Sequence, residues 1–434
     1  MRKTKAGIFT LSTSSLMICE CLITIVTIFL DTFLVSKLLK LTPGEYGGIS
    51  IFNFIYYVMM GITVFAMGPI LRKVNKSLFL GIGSLLLAGL FVTVYLLGDG
   101  IINWIWLLGV LSGVATGVFY AGFNNLITDV ISSKHQTIYF SVKNILVFLT
   151  KTLFPLVLGS IIDLGSFPLM CVIITVICVL IFVFSFLIKT KKNNTKTFNI
   201  INYLKILTSK NEDIKPLKTL YISAIFRGLS FDIIATTLTV LIFLNSGGSD
   251  FKIGLIQTIF TATQLISTLI FMKTYHKKRS AWFIFGGLSL IVAASIPVFF
   301  MHDIVTLLVF YGVYMFFRIF ITTITDMRKG TIIRLLSMHS HSIEYNSVYS
   351  LFYGVIRGCS YLLFLLYLVM PEMTMISIIL GVNILAYIGY GITLYIMEQQ
   401  LIKQDEKWKK EHPVEVIQPQ GNDKEKIESG SQPA

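Results

Sequence analysis

Glu20, Lys151, Arg227, Asp232, Arg318 and Arg357 are ionisable side chains set inside long, otherwise apolar stretches. If those stretches cross a bilayer, a charge at mid-membrane costs at least about 2.5 to 3.5 kcal/mol, so each must be paired or must face water. Four cations against two anions leave a surplus of two positive charges in this set. Facing a common chamber, that surplus would draw in anionic groups, because low-dielectric walls focus the field. A guanidinium is also suited to bidentate contact with carboxylate or phosphate. Lys151, Arg227, Arg318 and Arg357 are therefore the candidate binding residues for a small molecule with an anionic group and an apolar body. Glu20 and Asp232 are the candidate proton carriers: desolvation favours a neutral carboxyl and a nearby cation favours the carboxylate, so proton and bound anion compete for one arginine. In the competing reading these charges are internal ion pairs, such as Arg227 with Glu20 or Asp232, that tie helices together. Arg318 and Lys143 lie near enough to one face to snorkel.

Other chemistry finds little support. Cys19, Cys21, Cys171, Cys178 and Cys359 show no paired spacing for a disulfide framework or a zinc site and read as packing residues. His339 and His341 form a His-x-His pair without accompanying Cys or carboxylates, so no metal site is expected. No Walker-type glycine loop is present, which leaves ATP hydrolysis unsupported. A lipid-modifying enzyme would need a nucleophile or clustered His and Asp near the interface; the chain offers no catalytic constellation and implies no cofactor.

The elements that position these charges are twelve apolar stretches, at 9–37, 46–70, 78–98, 101–126, 137–160 and 167–189, then 217–244, 252–273, 280–301, 304–326, 345–370 and 373–397. About twenty apolar residues let a helix cross a 30 Å hydrocarbon core with every backbone group bonded internally. With residue 1 inside, 28 of the 36 Lys and Arg fall on the cytoplasmic side; Lys37, Lys40 and Lys252 fall outside, and Lys143, Lys151, Arg227, Arg318 and Arg357 within spans. That asymmetry places both termini in the cytoplasm of a multi-pass membrane protein. The net charge of +14 is then a property of cytoplasmic loops, with no nucleic-acid partner implied. Met1 to Lys5 leads into apolar sequence like a secretory signal, but Glu20 interrupts it and no small-residue cleavage site is present, so the first span is expected to be retained.

The division is a first six-span unit at 1–189, a cytoplasmic connector at 190–216, a second six-span unit at 217–398 and a charged, disordered tail at 399–434. In the connector, Ile200, Ile201, Leu204, Ile206 and Leu207 among lysines suit either a helix on the anionic inner leaflet or a solvated linker. The units repeat. Ile127-Thr128-Asp129 is echoed by Ile324-Thr325-Asp326, and Tyr139-Phe140-Ser141-Val142 by Tyr345-Asn346-Ser347-Val348; the latter offset of 206 also carries Lys151 onto Arg357. Parallel six-helix repeats about an axis along the membrane normal are a design of secondary transporters.

On this layout, over residues 5 to 398, the chain resembles the major facilitator superfamily. The loop after the second span carries a Gly-x-Leu-Ala-Asp-Arg-x-Gly-Arg-Lys type motif in that family. Here Gly68, Arg72, Lys73 and Lys76 occupy its place, with Arg72 at the acidic position and Asn75 at the second glycine. Glu344-Tyr345 followed by Arg357 is similar to a pattern in Gram-positive bacterial members. Gly109, Gly113 and Gly117 make a small-residue stripe in the fourth span, expected to let the halves slide. Pro155 and Gly159 resemble part of an antiporter element in the fifth span, while the Arg that drug antiporters carry in the fourth span is missing. The resemblance implies an all-α fold of two pseudo-symmetric six-helix bundles and a monomeric, non-enzymatic secondary transporter working by alternating access. Proton coupling and a substrate with an anionic group are the first expectation, efflux of amphipathic drugs is the second, and a transporter-shaped sensor or scaffold without flux is the third.

Overall fold

The computed structural model describes residues 10–42, 45–130, 136–189, 198–230, 232–275, 279–301, 304–335 and 341–411. They form helices throughout. The first span is α1 (Leu11–Ile28), a π-helical stretch Phe29–Leu34 and α2 (Val35–Leu41). Next come α3 (Gly47–Leu71), α4 (Lys76–Leu97), α5 (Ile105–Val130), α6 (Gln136–Leu164) and α7 (Phe167–Ser185). The connector contributes α8 (Ile200–Thr208). The second unit is α9 (Lys215–Ser230) with α10 (Asp232–Ser246), α11 (Asp250–Thr274), α12 (Ser280–Met301), α13 (Ile304–Leu335), α14 (Ser342–Tyr361) and α15 (Glu372–Glu411). Eleven of these stretches are long and apolar enough to cross a membrane. One of them, Lys76–Ile127, holds two crossings, because α4 and α5 fold back at the 3-10 turn Gly98–Trp104 and pack side by side. The described residues therefore carry the twelve expected spans.

Local sequence sets the helix ends. Asn75 accepts from the Ser77 amide to start α4, Ser166 accepts from the Leu169 amide ahead of α7, and Ser249 from the Lys252 amide ahead of α11. Such caps satisfy amides that the helix itself leaves open. Between α9 and α10, the Ser230 carbonyl accepts from the Tyr314 hydroxyl at 3.2 Å and from the Asn383 side chain. A backbone group freed in the middle of a span is thus bonded by neighbouring helices, as lipid requires.

The halves meet along two seams of matching kind. The second span of each half packs against the fifth of the other, α3 on α14 and α11 on α6, the arrangement a two-fold axis along the membrane normal produces. Both seams are closed by glycines. A Cβ on Gly354 would lie 2.7 Å from the Tyr57 carbonyl oxygen, and one on Gly61 2.9 Å from that of Ser350. Gly159 faces the Asp250 carbonyl and Gly254 that of Pro155 just as closely, so Pro155 and Gly159 sit on the second seam. The stripe Gly109, Gly113 and Gly117 lies elsewhere: it packs against Phe52, Tyr56 and Thr63 of α3, inside the first half. Spacing identifies a close-packing face but not which neighbour fills it.

Helix α15 also outruns its expected end at 398. Leu401 is buried, the Thr219 hydroxyl meets Gln400 at 2.9 Å, and Gln404 donates to the Asp213 carbonyl at 3.0 Å, so the helix continues to Glu411 against the start of the seventh span. The rest of the charged tail lies outside the described residues.

Candidate functional site

Helix α6 presents lipid-facing Leu149, Leu153 and Val157 on one side, and Lys151, Pro155, Leu158 and Ile162 on the other. On that inner side Leu158 and Ile162 are buried while the Lys151 side chain is solvent-exposed. Lys151 is thus the polar position on the inward side of this helix. The charges acting on Lys151 are Arg318 first, then Lys143, Glu20 and Asp31. Lys151 forms no ion pair among the described residues. Its leading electrostatic neighbour is thus a like charge from the opposite half.

Glu20 projects from α1 to the Lys143 ammonium at 2.8 Å, with both side chains about 15% exposed. Lys143, expected to snorkel, is instead turned inward, and the anticipated pairing of Glu20 with Arg227 does not occur. A further carboxylate that the sequence pattern does not single out acts on the same groups. Asp31 is exposed while Phe29, Leu30, Thr32, Phe33 and Leu34, the rest of the π-helical stretch, are buried. Its charge is felt by Tyr56 of α3, Tyr120 of α5 and Lys151. A π turn adds a residue to the helical repeat and re-aims the side chains beyond it, so a regular 3.6-residue period could not place Asp31. The signal that was available is simply an Asp within an apolar span.

Arg357 lies at the other seam. It donates to the Tyr57 hydroxyl at 2.9 Å, and its guanidinium carbon lies 3.7 Å from the Tyr57 ring centre. Tyr120 feels Glu20, Asp31 and Arg357 together. The charges that act on one another across these helices are thus Glu20 and Asp31 against Lys143, Lys151, Arg318 and Arg357, again a surplus of two positive charges. Arg318 also lies 5.9 Å over the Tyr314 ring.

Arg227 belongs to a different group. It meets Asp326 at 3.3 Å and stands 5.8 Å over Tyr353, beside Lys329, which lies 4.3 Å over the Tyr349 ring. These partners all belong to the second half. The Asp232 side chain lies outside the described residues, as does His339.

Both ends of the interface between halves are tied by buried polar contacts. On the face that carries the basic loops, one Arg72 nitrogen reaches both Glu344 oxygens of α14, at 2.7 and 2.8 Å. Glu344 is fully buried, also accepts from the Asn199 amide at 3.1 Å and lies 4.0 Å from His341. Asn346 donates to Asn125 at 3.2 Å nearby, and a Cβ on Gly68 would sit 2.6 Å from the Ser347 hydroxyl. The loop therefore contacts the eleventh span through a base on the loop and an acid on the helix. Lys73 is exposed and Lys76 is buried at the start of α4, its carbonyl against Gly122. On the opposite face, buried Asp250 accepts from Ser36 at 2.6 Å and from Lys40 at 2.5 Å. Asp163 accepts from the Ser249 hydroxyl and from the Asp250 and Phe251 amides at 2.8 to 3.1 Å, capping the start of α11 across the seam. A cleft of about 250 Å³ lies there, lined by Lys37, Lys40, Ile162, Asp163, Phe167 and Asp250. Among the described residues no group of His, Cys, Asp and Glu is arranged to hold a metal ion.

Residues 13–365 match the model of the Major Facilitator Superfamily, and the chain belongs to that superfamily. It is similar to the uncharacterized protein YqgE of Bacillus subtilis (strain 168), at 22% identity over 387 residues and 87% of each chain. Among solved structures, a bacterial homologue of the iron transporter ferroportin in its inward-facing state aligns with a TM-score of 0.60 at 16% identity, covering 89% of this chain and 98% of that one. The peptide transporter POT in complex with sulfate gives 0.59 at 13% identity, over 91% and 95%. The human organic anion transporter MFSD10 (TETRAN) gives 0.58 at 13% identity, over 88% and 99%. At these identities the structures speak for the fold. Family and fold make the chain a multi-pass secondary transporter of small molecules and not an enzyme.

Proposed function

We propose that this superfamily member moves an organic substrate with an anionic group and an apolar body, coupled to protons, as a monomer in a bacterial plasma membrane with both termini in the cytoplasm. The observation that carries this reading is Lys151: a lysine on the inward side of α6, without an ion-pair partner among the described residues, with Arg318 of the other half as its strongest electrostatic neighbour. An anion between the two offsets their repulsion and favours the halves coming together, so binding and closure reinforce each other. Arg357, held across the other seam by Tyr57, adds field to the same space. Tyr120, half-buried among these charges, is the aromatic side chain available to an apolar body. Glu20 is the coupling carboxylate in this scheme: protonation breaks its pair with Lys143 and releases that ammonium toward the bound anion.

The test is thermal stabilisation of the purified protein by amphipathic carboxylates and phosphonates, such as phenylbutyrate and benzylphosphonate, set against phenylbutanol. An anion at a hundred times its Kd adds about 2.7 kcal/mol of stability. Stabilisation is expected from a member of the anionic set and none from the alcohol, with loss of the effect in Lys151→Gln. Equal stabilisation by the alcohol would exclude a requirement for the anion. Flux of the stabilising anion in proteoliposomes then separates a transporter from a ligand-binding scaffold.

A further inference from the structure

Helix α8 has one side fastened to the protein and the other bare. On the fastened side Tyr203 is fully buried, its hydroxyl 2.9 Å from that of Tyr221 in the seventh span, and Tyr221 packs edge-on against Tyr349 and Phe352 of α14. Just before the helix, the Phe198 ring packs over Gly68 with Val64 and Leu71 of α3 and Ile343 of α14, and the Asn199 amide donates to Glu344. The segment thus touches both halves at the point where Arg72 and Glu344 join them. The basic face cannot part without Phe198 leaving α3 or Asn199 leaving Glu344.

The bare side carries Ile201, 66% exposed, and Leu204, 42% exposed, three residues apart on one helical face, with exposed Lys205 and Lys210 beside them. Helix α8 precedes the seventh span by only a few residues, which holds it at the level of the membrane surface. A short amphipathic helix at that level, with apolar residues outward and lysines alongside, suits a leaflet of anionic lipid. We propose that α8 seats Ile201 and Leu204 in an anionic leaflet and, through Phe198 and Asn199, keeps the adjoining face of the transporter closed, so that lipid charge sets the balance between conformations.

The seating of α8 is independent of the substrate and is tested on the full-length chain in nanodiscs by amide hydrogen exchange, comparing pure phosphatidylcholine with an equal mixture of phosphatidylcholine and phosphatidylglycerol. In the anionic discs, amides of residues 199–208 and of the first turns of α14 should exchange roughly thirtyfold more slowly, the effect of two lysines near a charged surface. Lys205→Gln with Lys210→Gln should abolish the difference between lipids. Ile201→Gln with Leu204→Gln should speed exchange in both, with Ile201→Leu as the conservative control. Identical exchange in the two lipids would overturn the proposal, as would an undiminished lipid response in the lysine double variant. Slowing confined to α8, with α14 unaffected, would overturn the link to the gate.

Discussion

Replacing Arg72 by Gln should open the basic face of the transporter. Glu344 is fully buried and Arg72 only 14% exposed, so the pair is desolvated in the closed arrangement. Removing one partner of a buried pair costs about 3 to 5 kcal/mol, because the remaining charge is left uncompensated. The Asn199 amide stays bonded to Glu344, which places the cost near the lower figure. In an opened arrangement Glu344 is hydrated and pays little, so nearly the whole cost falls on the closed state. At 1.4 kcal/mol per tenfold, about 3 kcal/mol moves the equilibrium roughly a hundredfold toward opening. Arg72→Lys keeps the charge but forfeits one of two hydrogen bonds, about 1 kcal/mol, and should shift it roughly fivefold. Reversing the pair, Arg72→Glu with Glu344→Arg, should restore closure. The assay is the distance distribution between spin labels on exposed Lys73 of the first half and Lys403 of the second, with the exposed Cys359 replaced by Ser. A longer distance should gain population in the order wild type, Arg72→Lys, Arg72→Gln. Unchanged distributions in Arg72→Gln would refute the role given to this pair.

Asp250→Asn should act with the opposite sign, loosening the far face where Lys40 and Ser36 are held, and the same spin pair should then report shorter distances; lengthening would contradict a rocking motion. Glu20→Gln should retain substrate exchange in proteoliposomes but lose accumulation driven by a pH gradient, and adding Lys143→Gln should recover stability without recovering coupling. Accumulation that persists would remove Glu20 from the coupling role. Gly354→Val should lower the melting temperature, overpacking the α3 and α14 seam at a cost of about 1 to 3 kcal/mol. Gly89→Ala, where a Cβ meets nothing within 4 Å, should not.

Much of the molecule is readable along the chain, for a physical reason. A bilayer forces the backbone to bond within each span, so length and apolarity alone determine twelve crossings, and a charge deep inside one of them stands out. Glu20, Lys151, Arg318 and Arg357 stand out in this way, and the loop around Arg72 stands out by its basic run. The repeat is legible too, since Lys151 and Arg357 occupy the fifth span of each half and face its two seams. Partnership is not. Glu20 joins Lys143 and not Arg227, Arg227 joins Asp326, and Arg72 finds Glu344 at a separation of 272 residues. The glycines of the fourth span turn to their own half, while Gly61, Gly254 and Gly354 close the interface. Asp31 stands exposed among buried neighbours in a π turn that no regular helical period locates. Sequence sets which residues must be buried, because solvation is a property of each residue alone. Which charge neutralises which, and which small residue meets which backbone, depends on how rigid helices cross, and that is decided only when both halves are packed together.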